Sequence, residues 1–275
     1  MPPTMTDGRS ERVGLTHARV SLLGGFRLDV ADLPVMLPIH ASRVLAYLCL
    51  DRMTRPACTR HQLAERLWPE VPTDRAHASL RTALWRIRRA SRYLIRVERE
   101  RVLLDDRVDV DIHRGRVQAA RLLSDDPELL PADTEVTTLV GDLLPGWDED
   151  WLLLERERVR ELQIHALEAL ARRLCRLGRY TEAIDVAYAV IEAEPLRESG
   201  HVTLIDVHLA EGNVAQAHRQ LERYANLLYE ELGLTPSPTL IAHVGRPSPR
   251  PPGSSLRQRR APPRQHYADR RTAGG

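Results

Sequence analysis

The second half of the chain contains an internal repeat with a period of 34 residues. Each copy has a glycine, then a tyrosine or valine two positions on, then an alanine three positions after that. The matching positions are Gly178, Tyr180 and Ala183 in one copy and Gly212, Val214 and Ala217 in the next. This period is typical of stacked pairs of antiparallel helices, because one pair alone cannot bury its apolar face. The sequence therefore predicts two stacked helix pairs.

The residues around the repeat extend this interpretation to a tetratricopeptide-like domain. Pro195 follows the second helix of the first pair, and apolar residues recur at helical spacing from about Val108 to Leu232. Only 4% of the residues are aromatic, so leucine, valine, isoleucine and alanine must build the cores, a composition that favours helices. We predict an all-helical domain over residues 108–244.

A different order of elements precedes this domain. The stretch RVSLLGGFRLDV predicts a pair of strands, and VMLP predicts another short strand. Three helices follow, with Ser42, Thr59 and Asp74 as candidate N-caps and Pro69 at the end of the second helix. YLIRVERERVLLDD predicts a hairpin. These elements indicate a winged helix-turn-helix over residues 18–107. The predicted fold class is thus mainly α with a small β content, a winged helix-turn-helix followed by a tetratricopeptide-like domain.

Charge divides the chain in the same way. Residues 18–104 hold 16 arginines against 8 acidic residues, whereas residues 105–244 hold 14 arginines against 27 acidic residues. This division suggests two domains with different partners. The ends, residues 1–17 and 245–275, have few core-forming side chains, so we predict that both are disordered. The arginine-rich tail is compatible with a solvated surface, an auxiliary DNA contact or a contact with an anionic membrane.

The third predicted helix, RAHASLRTALWRIRRASR at residues 75–92, contains six arginines and no acidic residue. One side of it is an apolar stripe made of Ala76, Leu80, Ala83, Leu84 and Ile87. The arginines collect on the other side, where they repel one another, and a polyanion would relieve that repulsion. A helix of this kind fits the major groove of B-DNA, in which arginine reads guanine.

We therefore predict a DNA-binding face with residues of two roles, and a hairpin beside it that reaches an adjacent groove or phosphate. The residues assigned to base edges are Arg81, Thr82, Trp85 and Arg86, those assigned to phosphates are Arg75, Arg89 and Arg92, and those of the hairpin are Arg99 and Arg101. Three alternatives stay open: a solvated surface helix, an indole that packs on a neighbouring element, and a plain charged turn.

Other polar patterns do not indicate a catalytic or metal site. The carboxylates of GWDEDW, at residues 146–151, match the acid-rich start of a helix. The histidines are scattered, and the three cysteines lack metal-ligand spacing. We expect a non-enzymatic protein without cofactor or metal. Because the cysteines are odd in number and lack that spacing, we expect a reduced, cytoplasmic protein. No apolar run approaches the roughly 20 residues of a membrane span, so we expect no membrane contact.

Several stretches resemble the antibiotic regulatory protein (SARP) family of actinobacterial activators. The resemblance covers about residues 18–244, and its stretches are LLGGFRL, SRVLAYL, LAERLWPEVPTDRAHASLRTALWRIRRAS, LLPGWDEDWLLLERERVREL and EELGLTPSP. Members of the family join an OmpR-like winged helix to a bacterial transcriptional activator domain of tetratricopeptide type. The family's wing often has a Gly-Tyr pair at its turn, whereas this chain has Glu100 and Arg101.

The resemblance implies a function and two partners. It implies a transcriptional activator that binds direct repeats in promoter DNA and recruits RNA polymerase holoenzyme. We further predict a tandem dimer on DNA and control of a biosynthetic gene cluster. The loop before the third helix, with Trp68, Pro69 and Glu70, matches the segment that faces polymerase in OmpR-type activators. Two alternatives remain: a repeat scaffold that binds proteins or peptides, and a repressor that uses the same DNA-binding domain.

Overall fold

The structure, a computed structural model, describes residues 17–54, 58–124 and 136–245 and has the predicted fold class. Nearly all of the two ends predicted to be disordered lies outside the described residues. The strands are β1 (Ala18–Ser21), β2 (Arg27–Val30), β3 (Leu33–Pro34), β4 (Cys58–Thr59), β5 (Ile95–Glu98), β6 (Arg101–Leu104) and β7 (Val108–Val110). The helices are α1 (Ile39–Thr54), α2 (Arg60–Leu67), α3 (Thr73–Ala90), α4 (Asp111–Leu123), α5 (Asp150–Arg176), α6 (Tyr180–Ala193), α7 (Glu198–Ala210), α8 (Val214–Leu232) and α9 (Pro238–Val244).

Two small sheets frame the first three helices. One sheet has the order β3-β2-β1-β7, and the other, formed by the hairpin and β4, has the order β4-β6-β5. The predicted first strand pair is confirmed as β1 and β2, which pair antiparallel. The strand predicted at VMLP is wrong, because the third strand is Leu33–Pro34 and residues 35–38 lead irregularly into α1.

The starts of two helices differ from the predictions. Thr59 caps α2 as expected, and its side chain accepts a hydrogen bond from the Gln62 amide in a capping box. Ser42 is not an N-cap, since α1 begins at Ile39 and the Ser42 hydroxyl is buried inside the helix. Asp74 is not a cap either, because α3 begins one residue earlier, after Pro72. Both helices start directly after a proline, Pro38 before α1 and Pro72 before α3, and no side-chain cap is present at the start of α3.

The start of the second domain is a strand, which contradicts the prediction of continuous helix from Val108. Strand β7 runs parallel to β1, with Ala18 opposite Val108. At the end of β7, the buried carboxylate of Asp111 accepts hydrogen bonds from the amides of Leu22 and Leu23, at 2.8 and 2.9 Å. The second domain is therefore joined to the first sheet by both backbone pairing and a side chain.

The predicted repeat is confirmed as two helix pairs, α5 with α6 and α7 with α8. Gly178 and Gly212 both have positive φ, 72° and 85°, where each first helix of a pair turns into the second. Ala183 and Ala217 are fully buried, as close helix packing requires. None of the helices in the described parts of the chain has the length and apolar character that a bilayer crossing requires.

The principal core crosses the predicted border between the two domains. It contains the apolar sides of α1, α2 and α3, and it continues into the second half with Leu144, Leu152 and Val159. Two smaller cores lie beyond it, one around α4, α5 and α6 and another around α7, α8 and α9. The division of the chain at residues 107 and 108 stays a prediction.

We predict that Gly115→Ala destabilises the protein. A Cβ at this buried position in α4 would lie 2.4 Å from the backbone oxygen of Thr138. The overpacking should cost about 1–3 kcal/mol despite alanine's better helix propensity. The comparison variant is Gly200→Ala, whose Cβ would meet side-chain carbons rather than backbone, the nearest in Val190 at 2.9 Å, and which should lose less. Urea unfolding measures both, and a Gly115→Ala protein as stable as the parent would contradict the packing of α4.

Candidate nucleic-acid interface

Helix α3 packs on α1 and α2 through the apolar stripe that the sequence predicted. All five residues of that stripe, Ala76, Leu80, Ala83, Leu84 and Ile87, are buried. Helix α2, the turn at residues 68–72 and α3 thus form a helix-turn-helix with α3 in the position of a recognition helix. The burial of one side of α3 fixes which side is presented to solvent.

The opposite side of α3 is exposed and carries positive charge. From Arg75 onward, the exposed residues are Arg75, Ala78, Arg81, Thr82, Trp85, Arg86, Arg88 and Arg89; Thr73 and Asp74 are also exposed in the first turn. In the described part of the chain, none of these arginines has a carboxylate within 4.0 Å. Arg88 was not among the predicted site residues, although it belongs to the same arginine run. We call this side of α3 the arginine face.

Trp85 organises part of the arginine face. It is 51% exposed, so it is not buried in the core. The guanidinium carbons of Arg86 and Arg89 lie 5.0 and 5.4 Å from the centre of the indole ring, a cation–π arrangement. The indole therefore restrains two guanidinium groups while leaving them exposed. Beside it, the Thr82 hydroxyl donates to the Ala78 carbonyl at 3.1 Å, which leaves the Thr82 methyl group for an apolar contact.

Arg92 differs from the other predicted phosphate contacts in its position. Helix α3 ends at Ala90, so Arg92 lies beyond the helix, with its guanidinium over the Tyr93 ring at 4.7 Å. Arg107 occupies a similar position at 4.3 Å from that ring. Hydrogen bonds from Arg107 lower the pKa of Asp105 to about 2, which keeps this carboxyl ionised. Arg92 thus belongs to a cluster at the base of the hairpin.

The hairpin presents its two predicted arginines at the tip. Strands β5 and β6 pair with Glu98 opposite Arg101, so Arg99 and Glu100 form a two-residue turn. Arg99 has a φ of 57°, in the left-handed region, and it is exposed. Strand β4 pairs with β6 on the other side and ends at Thr59, the cap of α2. The tip is thereby anchored to the helix-turn-helix.

A histidine pair beside α3 was not predicted. The rings of His61 in α2 and His77 in α3 stack at 5.7 Å between centroids, with 3.4 Å between Nδ1 of His61 and Nε2 of His77. His61 also contacts Glu65 at 3.1 Å. The two histidines are 16 positions apart in sequence, and only the packing of α2 on α3 brings them together.

The predicted polymerase-facing loop needs a correction at Trp68. The side chain of Trp68 is 6% exposed and packs in the principal core, so its indole is not available for a direct contact. The ring of His40 lies 5.7 Å away, and the Arg43 guanidinium lies at the same distance from the indole. Pro69 and Glu70 are exposed as predicted.

Comparison with known proteins places this architecture in a family. Residues 108–244 match the family model described as bacterial transcriptional activator domain. The regulatory protein AfsR of Streptomyces griseus is 28% identical over 216 residues, which cover 72% of this chain and 21% of the relative. A solved structure of Mycobacterium tuberculosis EmbR, in complex with a low-affinity phosphopeptide, is similar with a TM-score of 0.66 and 21% identity; the match covers 82% of this chain and 63% of that one.

The chain is a SARP-type regulator. The similarity to EmbR shows the shared fold, a winged helix-turn-helix with a helical activator domain. The chain spans about a fifth of the length of the AfsR relative and under two thirds of the EmbR chain. Within the described residues of this regulator, no group of three or more His, Cys, Asp or Glu side chains could hold a metal ion.

We predict that Trp68→Ala reduces the stability of this regulator, whereas Glu70→Ala does not. Removing a buried indole should cost about 3–5 kcal/mol, and an exposed carboxylate should change the free energy of unfolding by about 0.5 kcal/mol or less. Denaturant unfolding of both variants measures the difference. Equal stability of the two variants would show that Trp68 is not a core residue.

Proposed function

We propose that this regulator is a sequence-specific DNA-binding transcriptional activator. The observation that supports this proposal is the arginine face, which is exposed, lies on the recognition helix and lacks a carboxylate partner among the described residues. Uncompensated like charges on one helix face cost stability in the free protein. Phosphates and the acceptor groups of guanine in the major groove supply the missing partners.

Within this proposal, the arginine face divides into two functions. Arg81, Thr82, Trp85 and Arg86 read base edges, while Arg75 and Arg89 contact phosphates. Arg92, Arg99 and Arg101 contribute from the hairpin and its base. Arg88, which is exposed in the same run of arginines, is a further phosphate contact.

The remaining parts of the proposal concern partners. The protein binds direct repeats in promoters as a tandem dimer, recruits RNA polymerase holoenzyme through Pro69 and Glu70, and controls a biosynthetic gene cluster from the cytoplasm. The family description as a transcriptional activator domain favours activation over repression. Transcription in vitro with purified holoenzyme separates these outcomes, since an activator raises the transcript level and a repressor lowers it.

The test of the arginine face compares two variants in α3 with one on the second domain. Arg86→Ala should lose discrimination between the selected site and a mutated site, by about 1–3 kcal/mol, if Arg86 reads a base. Arg89→Ala should weaken binding to all sequences alike and reduce the salt slope by about 1 if it contacts a phosphate. Binding is measured by fluorescence anisotropy at several salt concentrations, with a site selected from random DNA.

The control is Arg121→Ala, which removes the same charge from an exposed position of α4. It should leave both the affinity and the site preference unchanged. Unchanged site preference in Arg86→Ala would refute the base-reading role of Arg86. Equal weakening by Arg121→Ala and Arg89→Ala would refute a specific DNA-binding face.

A further inference from the structure

Side chains at the end of the segment GWDEDW contact helix α1 of the winged helix-turn-helix. Glu149 immediately precedes α5, and its Oε1 lies 2.5 Å from Nε of Arg43 in α1. The Nη2 of Arg43 donates to Oε2 of Glu149 at 2.7 Å. The two side chains are only 17% and 15% exposed, so solvent and salt screen this ion pair less than a surface pair.

Arg43 also contacts the turn of the helix-turn-helix. Its Nη2 donates to the carbonyl oxygen of Leu67, the last residue of α2, at 2.7 Å. Its guanidinium lies over the indole of Trp68, the first residue of the turn. One guanidinium therefore joins the start of α5 to the point at which α2 ends and the loop before the recognition helix begins.

The carboxylate of Glu149 is itself held in place by the second domain. The Nε1 of Trp151 donates to Oε2 of Glu149 at 2.8 Å, and the Trp151 ring meets Tyr47 of α1 edge to face at 5.3 Å. Arg156 fixes the preceding loop, since its guanidinium donates to the backbone carbonyl oxygens of Leu143, Leu144 and Trp147. The carboxylate is thus prearranged for Arg43.

We propose that Glu149 is a positioning residue through which the activator domain, acting on Arg43, holds the turn before α3. The turn presents Pro69 and Glu70 and leads directly into the first residues of the recognition helix. The Glu149 carboxylate adds a polar contact between this turn and the activator domain to the shared apolar core. The consequence for transcription rests on the proposed function, whereas the restraint on the turn does not.

The first measurement follows amide hydrogen exchange in the full chain after Glu149→Gln. Glutamine keeps the shape of the side chain but removes the charge that Arg43 binds. We expect exchange in residues 68–76 to become roughly tenfold faster, since Arg43, which binds the Leu67 carbonyl at the start of the turn, loses its charged partner. Exchange in α6, α7 and α8 should not change.

The matched control is Asp148→Asn, which removes the same charge one residue earlier. Asp148 is exposed and takes part in no ion pair within the described chain. It should leave exchange in the turn as in the parent. A second variant, Arg43→Lys, keeps the positive charge but not the planar group that bridges Glu149 and Leu67, and it should also accelerate exchange in the turn.

The second measurement is transcription in vitro at DNA-saturating protein concentrations. Glu149→Gln should lower transcription severalfold more than Asp148→Asn, even though the DNA is fully occupied in both reactions. Unaltered exchange in the turn of both Glu149→Gln and Arg43→Lys would overturn the restraint. Faster exchange with transcription equal to that of Asp148→Asn would overturn its role in activation. Failure of the parent protein to activate would instead count against the proposed function, and the exchange result would stand separately.

Discussion

The parallel pairing of β7 with β1 determines how the two halves of the molecule are arranged. Strand β1 is an inner strand of the first sheet, and the pairing brings the start of the activator domain directly against it. Asp111 then accepts hydrogen bonds from the backbone amides of Leu22 and Leu23, which would otherwise be unpaired at the end of β1. Because the principal core continues from α1 into α5, the winged helix and the activator domain share their packing. Buried contacts, rather than a linker, therefore connect the two halves.

Charge follows a different distribution from packing. In the second half, arginines such as Arg160 and Arg197 pair with acids of the same domain, Glu194 and Glu161 respectively. Part of the negative charge of the acidic domain is therefore neutralised by its own arginines. The arginine face is exposed, so this domain does not cover it. The pair formed by Arg43 and Glu149 is a place where the opposite charges of the two halves meet. The arginine face remains accessible to a polyanion as a result.

The sequence predicted the features that depend on period and failed where tertiary packing decides. The buried stripe of α3 and the glycine turns at Gly178 and Gly212 followed from helical spacing and from the 34-residue repeat. Strand β7 was missed because three residues are too short to show an alternation that differs from a helical pattern. Resemblance assigns Trp68 to a polymerase contact, but the indole is buried and lies against His40 and Arg43 of α1, a packing that no local pattern indicates. The pairing of Glu149 with Arg43, 106 positions apart, has no local sequence signal.

The tip of the hairpin shows a local conflict between backbone preference and side chain. Arg99 adopts a left-handed conformation that costs about 1–2 kcal/mol for a residue with a Cβ, whereas glycine would adopt it without this cost. Strained residues of this kind persist when the surrounding structure holds them, and here the three-stranded sheet and the cap of α2 fix both ends of the turn. This backbone conformation places the Arg99 guanidinium at the tip of the hairpin, in the same domain as the arginine face. A glycine would relieve the backbone and remove that charge, so stability and positive charge oppose each other at this position.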